Sequence, residues 1–193
     1  MDLTQGTLEE KTNRSKKMMM YFGIASLIMS FGGLTSAFIV SSSRPDWLVD
    51  FKMPTAFIIS LFVILVSSIT LLAARQGLKN GNRSLTTSML LLTFALGIYF
   101  VINQFNGFSE IIAMGYNFTG PTSNVTMSYI YLIAMVHIAH VVVGLICLFV
   151  VIYNHFKQKY TAEKMTGFEV AAIFWHFVDI LWVYLFLFLY FMA

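Results

Sequence analysis

Six side chains in the second half of the chain could carry chemistry, namely His137, His140, His155, Glu169, His176 and Asp179. His176 and Asp179 lie three residues apart in the segment FWHFVDILWVYLFLFLY, whose other residues are apolar or aromatic. An ionisable side chain near the centre of a bilayer costs roughly 2.5–3.5 kcal/mol on insertion scales. These two residues therefore need protein partners, or they serve a function that requires them inside a membrane.

Helical periodicity places the polar residues on two faces. At 100° per residue, His137, His140 and Gly144 share one stripe of a helix, and His176 and Asp179 share a stripe of the next. The helical rise puts Asp179 about 16 Å and His140 about 20 Å from the same membrane surface. The pattern predicts that His140 reaches Asp179, directly or through one water.

Three further residues are expected to pack these two helices together. Gly144 lets a neighbouring helix approach closely. Trp175 and Trp182 lie on a face adjacent to that of His176. Glu169 is expected close to the membrane surface.

Three interpretations of the polar residues compete. In the first, His137, His140 and His176 bind a haem or a metal ion. This is disfavoured because two stacked haems need histidines well separated along each helix, and here they bunch at one level. In the second, Asp, Glu and His form a proton path, although helices 1 to 3 offer no carboxylate within the apolar runs. In the third, they form a satisfied polar network between helices. The pattern favours the third, and the proton path is the closest alternative.

The elements that position these residues follow from composition. The 193-residue chain is 58% hydrophobic and 11% charged, whereas a soluble domain is nearer half apolar and a quarter charged. Five apolar runs are long enough to cross a bilayer as helices, at about residues 18–40, 54–74, 85–105, 127–153 and 168–192. We therefore predict an all-α bundle of five transmembrane helices after a polar N-terminal segment, residues 1–17. The outer loops are predicted at Ser41–Met53 and Asn106–Thr126.

The basic residues predict the orientation of the bundle. Ten of the twelve Lys and Arg residues lie before helix 1 or in the loops after helices 2 and 4, against two, Arg44 and Lys52, on the other side. The positive-inside rule therefore puts the N-terminus inside and the C-terminus outside. The basic residues form no patch that would indicate nucleic-acid binding.

The C-terminal third carries a family resemblance. The motif H-x-x-H-V-x-x-G begins at His137, G-F-E begins at Gly167, and W-H-F-V-D-x-x-W begins at Trp175. In this order and spacing, the segment from Met127 to the end resembles the cytochrome c oxidase subunit III family of haem–copper oxidases. "SSIT" at Ser67–Thr70 and "GIYFVINQF", with Gln104, resemble the preceding helices of that family more loosely. The chain is similar to the five-helix form of the family, which lacks the first two helices of its seven-helix members.

The resemblance implies a non-catalytic subunit of a proton-pumping terminal oxidase in aerobic respiratory electron transport. Haem and copper would lie in the partner subunits and none in this chain, and phospholipid would be bound. The implied partners are the catalytic subunit I, other oxidase subunits, membrane lipids and a larger respiratory supercomplex. The short chain indicates a bacterial source and therefore a bacterial cytoplasmic membrane as the location. Leu27 stands where the family has a glutamate, so the role of that carboxylate in proton supply does not carry over.

Two alternatives to this function are kept. One is a stand-alone haem-binding membrane cytochrome that uses His137, His140 and His176. The other is the equivalent subunit of a quinol oxidase, because the sequence does not identify the electron donor.

Overall fold

The computed structural model describes residues 7–48, 53–120, 123–161 and 164–192 of the chain. These residues fold into five α-helices and contain no β-strand. The helices are α1 (Leu8–Ser41), α2 (Thr55–Lys79), α3 (Arg83–Ala113), α4 (Val125–Phe156) and α5 (Thr166–Met192). Each is long and apolar enough to cross a membrane. The predicted all-α bundle of five transmembrane helices is therefore confirmed, whereas its orientation in the membrane stays a prediction.

Side-chain caps explain where three of the helices begin. Thr7 and Glu10 form a capping box at the start of α1, with the Glu10 N–H donating to Thr7 Oγ1 at 3.3 Å and the Thr7 N–H donating to the Glu10 carboxylate at 2.8 Å. The side chains of Asn82 and Asn124 accept backbone N–H groups in the first turns of α3 and α4, at 3.1 Å and 2.8 Å. Such caps satisfy donors that a helix start leaves without a partner.

Two helices extend beyond their apolar runs. The capping box starts α1 at Leu8, so residues 8–17 of the predicted polar segment are helical. The predicted outer loop at Asn106–Thr126 was too long, because α3 continues to Ala113. The extra turns of α3 are anchored by Glu110, which accepts hydrogen bonds from the backbone N–H and the hydroxyl of Thr55 at 3.1 Å and 3.3 Å. Residues 1–6 and Lys52, which entered the sequence predictions, lie outside the described residues.

The helices pack unequally. The most extensive packing is between α2 and α3, while α4 packs against α3 and α5, and α5 also packs against α2. Helix α1 packs against α4 and α5 and is the least buried of the five. The polar residues of α4 and α5 therefore lie where most of the bundle's helices meet.

Trp182 of α5 lies at the centre of the bundle and is 1% exposed. Its ring makes edge contacts with Phe57 of α2 and Phe100 of α3, at centroid distances of 5.9 Å and 5.4 Å. It also stacks on the His137 ring of α4, with the centroids 5.0 Å apart. One aromatic side chain thus connects four of the five helices.

Candidate functional site

The polar face of α5 finds its partners on α2. The Trp175 indole N–H donates to Ser67 Oγ at 2.9 Å, and His176 Nδ1 lies 2.7 Å from Ser68 Oγ in a second hydrogen bond. Helical periodicity predicts the partners of these residues on α4 instead. The available signal was the pair of adjacent serines inside the apolar run of α2, because a buried hydroxyl needs a partner.

Trp175 fits a space that two glycines provide. A Cβ atom at Gly97 of α3 would lie 2.6 Å from Cη2 of the Trp175 ring, and one at Gly144 of α4 would lie 3.0 Å from its Cε3. Real side chains essentially never show the first of these distances. The indole, which is 1% exposed, therefore lies directly against the backbones of two helices while it bonds to a third.

His137 is fully buried among aromatic rings. Besides Trp182, its ring contacts Phe31 of α1 and Phe100 of α3 edge-on, with centroids 6.3 Å and 6.0 Å away. Neither ring nitrogen forms a hydrogen bond with a described residue. The histidine nearest the bundle centre thus packs as an aromatic side chain.

The predicted contact between His140 and Asp179 is not formed. His140 Nδ1 bonds to the Val136 carbonyl of its own helix at 2.7 Å, and its half-buried ring packs on Phe31, with centroids 5.7 Å apart. Asp179 is 2% exposed, and neither of its carboxyl oxygens forms a hydrogen bond within the described part of the chain. The hydroxyl of Ser68 is a neighbour of the Asp179 carboxyl. Its hydrogen bond within the described residues is with His176. Helical rise predicts the depth of a side chain but not the direction in which its helix face points, so it did not predict these partners.

Glu169 connects three helices near one end of the bundle. Its carboxylate lies 2.6 Å from the Lys17 ammonium of α1 and 3.0 Å from the Arg75 guanidinium of α2. The Glu169 side chain is 18% exposed and the two cations about twice that, so solvent screens these ion pairs only in part. Because α1 does not pack directly on α2, this carboxylate provides a link between them.

Sequence reasoning missed two further pairs of buried polar groups. The Asn103 amide of α3 donates to the Ala56 carbonyl and to Ser60 Oγ of α2, at 2.6 Å and 2.9 Å. The hydroxyls of Thr70 and Thr93 lie 2.8 Å apart between the same helices. These bonds match the extensive packing of α2 on α3. No sequence signal beyond polar residues within apolar runs pointed to them.

The described residues contain no group of three or more His, Cys, Asp or Glu side chains arranged to hold a metal ion. The geometry brings together His176, Trp175 and Glu169 with partners on other helices, and it leaves the side chains of His137 and Asp179 without a hydrogen bond to any described residue. What this arrangement does chemically is hold helices together by a few polar bonds inside an apolar bundle.

We expect Asp179→Leu to stabilise the isolated chain. A buried polar group without a partner costs about 1–3 kcal/mol, and an apolar side chain of similar size avoids that cost. Asp179→Asn should be close to neutral, because the amide finds no partner either. The measurement is the unfolding midpoint of the purified chain in detergent.

Asn103→Leu is the matched control for this prediction, because Asn103 is equally a buried polar residue but has two partners. It should destabilise the chain, since it leaves the Ser60 hydroxyl and a carbonyl with fewer bonds. A midpoint for Asp179→Leu below that of the unaltered chain would contradict the prediction.

The fold and these contacts define a polytopic α-helical membrane protein whose polar side chains join its helices. A family model described as cytochrome c oxidase subunit III matches residues 4–193, nearly the whole chain. The chain belongs to the cytochrome c oxidase subunit III family.

Curated relatives agree with the family match. The chain is 32% identical over 200 residues to cytochrome c oxidase subunit 3 of Pelomedusa subrufa and 31% identical over 201 residues to that of Papio hamadryas. Each alignment covers 96% of this chain and 73% of the relative. It is also 32% identical over 150 residues to cytochrome c oxidase subunit 3 of Drosophila yakuba, covering 78% of this chain and 55% of that protein. These relatives are named as subunits of an oxidase. The five apolar helices of the present chain make it an integral membrane protein.

Proposed function

We propose that this chain is a non-catalytic subunit III of a proton-pumping haem–copper terminal oxidase. It stabilises the catalytic subunit and the proton-uptake side of that subunit during aerobic respiration. The observation that carries the proposal is the family match over residues 4–193. In support, Trp175 and His176 of the family-like motif form helix-to-helix bonds.

The polar residues are proposed to keep the helices of the subunit packed together. Glu169 and His176 act as interhelical links, and His140 and His137 as packing elements on α4. Among the described residues, Asp179 has no hydrogen-bond partner to offset its burial, so its contribution is proposed to lie in the assembled complex and not in the stability of the chain. Leu27 occupies the position of the family glutamate, so proton supply through that carboxylate is not part of the proposal.

The redox centres are proposed to lie in partner subunits, with haem and copper in subunit I and its neighbours and no redox centre in this chain. The proposed setting is a bacterial cytoplasmic membrane, with the N-terminus inside. The electron donor is proposed to be a cytochrome c, as the names of the relatives suggest. A quinol-oxidising complex would use the same subunit fold.

Affinity capture of the tagged chain from mildly solubilised membranes of its source tests this function. We expect the captured complex to contain haem and copper in fixed ratio to the chain and to reduce oxygen. The chain separated from that complex should show no Soret band. A Soret band in the separated chain that His137→Ala or His176→Ala abolishes would overturn the proposal in favour of a stand-alone haem protein. Oxygen reduction with quinol but not with cytochrome c would identify quinol as the electron donor.

A further inference from the structure

Three buried side chains on three different helices lack polar partners in the same way. Gln104 of α3, His137 of α4 and Trp182 of α5 are all fully or almost fully buried. The amide oxygen and nitrogen of Gln104, both ring nitrogens of His137 and the indole nitrogen of Trp182 form no hydrogen bond with a described residue. Most buried polar side-chain atoms in proteins have a partner, which is either protein or ordered water. If the three residues lie together, one ligand can serve all of them.

Ring contacts place the three residues close to each other. The Phe100 ring of α3 has its centroid 6.0 Å from that of His137 and 5.4 Å from that of Trp182. Gln104 follows Phe100 by four residues, so the two lie on the same face of α3. A long side chain on a helix lies back over the turn that precedes it, so the Gln104 amide extends toward Phe100. The amide therefore lies near the level at which His137 meets Trp182.

The opposite side of α4 leaves room at this level. Phe108, four residues after Gln104, contacts Tyr131 of α4 with centroids 5.2 Å apart. Since Phe100 contacts His137 and Phe108 contacts Tyr131, Gln104 is level with the residues of α4 between these two. One of them is Ala134, which is buried. Its small side chain leaves more space beside the Gln104 amide than a larger residue would.

The two stacked rings cannot bond to each other. The planes of the His137 and Trp182 rings differ by 27°, and their centroids lie 5.0 Å apart. The N–H bonds and the nitrogen lone pair of such rings lie in the ring planes, so in a stack they are directed outward from the ring edges. The Phe31 and Phe100 rings next to His137 carry no hydrogen-bonding atoms. A partner for the ring nitrogens must therefore lie at an edge of the stack.

The chemistry of the three side chains selects the ligand. The Trp182 indole can only donate a hydrogen bond, whereas a neutral His137 ring and the Gln104 amide can each donate and accept. A cation could not bond to the indole N–H, and an anion could not bond to the amide oxygen or to an imidazole lone pair. Water donates and accepts at once, and a buried water typically makes about three hydrogen bonds.

We propose that an ordered water molecule binds at the centre of the bundle and bridges Gln104, His137 and Trp182. The described polar bonds of Trp175 and His176 connect α5 to α2, and the water connects α5 to α3 and α4 as well. Asp179 lies one turn further along α5, beside Ser68 of α2, and is not part of this site. The proposal goes beyond the oxidase function and does not depend on it, since no partner subunit contributes to the site.

X-ray radiolytic labelling of the full-length chain in membranes, read by mass spectrometry, tests this site. X-rays convert bound water into hydroxyl radicals, which oxidise the side chains beside it even where these are buried. We expect Trp182 to be oxidised several times faster than Trp175. Trp175 is the matched control, because it lies on the same helix, is equally buried at 1% exposure, and has its N–H bonded to Ser67.

Two substitutions at Gln104 test the bridge itself. Gln104→Leu keeps a side chain of similar size but removes its polar atoms, so it should slow the oxidation of Trp182 to the rate of Trp175. Gln104→Glu keeps oxygen atoms that can bond to the water, so Trp182 should stay the faster of the two. The oxidation of Trp175 should be the same in both variants and in the unaltered chain.

Three results would overturn the proposal. Slow oxidation of both tryptophans in the unaltered chain would show that no water lies beside Trp182. Equally fast oxidation of both would indicate that solvent enters the whole bundle. Fast oxidation of Trp182 that persists in Gln104→Leu, when circular dichroism shows that this variant is folded, would show that Gln104 does not hold the water. The first two results need no variant, so they decide the matter even where Gln104→Leu does not fold.

Discussion

Trp175→Ala is expected to lower the free energy of unfolding of the chain by about 3–5 kcal/mol, the usual cost of deleting a buried aromatic side chain. The indole is 1% exposed, fills the space against Gly97 and Gly144, and donates a hydrogen bond to Ser67. Its removal leaves a cavity between three helices and a buried hydroxyl without that bond. The lipid bilayer does not fill this cavity, because the site is enclosed by protein.

Two controls separate packing from hydrogen bonding at Trp175. Phe191→Ala removes an aromatic side chain of α5 that is 78% exposed, and it should change the unfolding midpoint little. Trp175→Phe keeps part of the ring but loses the bond to Ser67. Its unfolding midpoint should therefore lie between those of the unaltered chain and Trp175→Ala. The measurement is denaturant-induced unfolding in detergent, followed by circular dichroism. Equal midpoints for Trp175→Ala and Phe191→Ala would show that the indole does not hold the helices together.

Gly97→Ala is expected to destabilise the chain by about 1–3 kcal/mol, the usual cost of overpacking a core. The added methyl group would lie 2.6 Å from the Trp175 ring and 2.8 Å from a Leu145 methyl group. Leu145 can rotate, but the indole is fixed by its bond to Ser67 and by its burial. Helix α3 must therefore shift away from α5, and the edge contact between Phe100 of α3 and Trp182 weakens as a result.

Gly33→Ala is the matched control for this substitution. Gly33 also lies within a membrane helix, but apart from the adjoining turns of its own helix no described residue lies within 4 Å of the Cβ position there. Since alanine has the higher helix propensity, by up to about 1 kcal/mol, Gly33→Ala should be neutral or stabilising. Gly97→Ala should therefore lower the unfolding midpoint, and Gly33→Ala should leave it unchanged or raise it. Similar midpoints for the two variants would contradict the packing assigned to Gly97.

The helices themselves could be predicted from the sequence because their cause is local. A run of about 20 apolar residues must satisfy its own backbone hydrogen bonds in lipid, and a helix does so without any other element. The five runs therefore corresponded to five helices. The bounds were less accurate where polar side chains anchor helical turns beyond the apolar run, as Glu110 does for α3 by bonding to Thr55.

The partners of the polar residues could not be predicted in the same way. Periodicity gives the face on which His140 or Asp179 lies, but not the rotation of that face relative to the neighbouring helices. In the structure His140 lies against Phe31 of α1, and the polar groups next to Asp179 bond to α2. A rotation of one residue, about 100°, is enough to exchange one neighbouring helix for another.

By itself, then, the amino-acid sequence determined the class of the protein, the number of membrane helices and the family motif at Trp175–Trp182. The tertiary structure alone decided that Ser67 and Ser68 bond to α5, that Lys17 and Arg75 share Glu169, and that Asp179 is buried without a hydrogen bond to the part of the chain that the structure describes. The physical reason is the range of the forces involved. Transfer of apolar segments into lipid depends on each segment separately, whereas a hydrogen bond between helices depends on the positions of both to within a few tenths of an ångström.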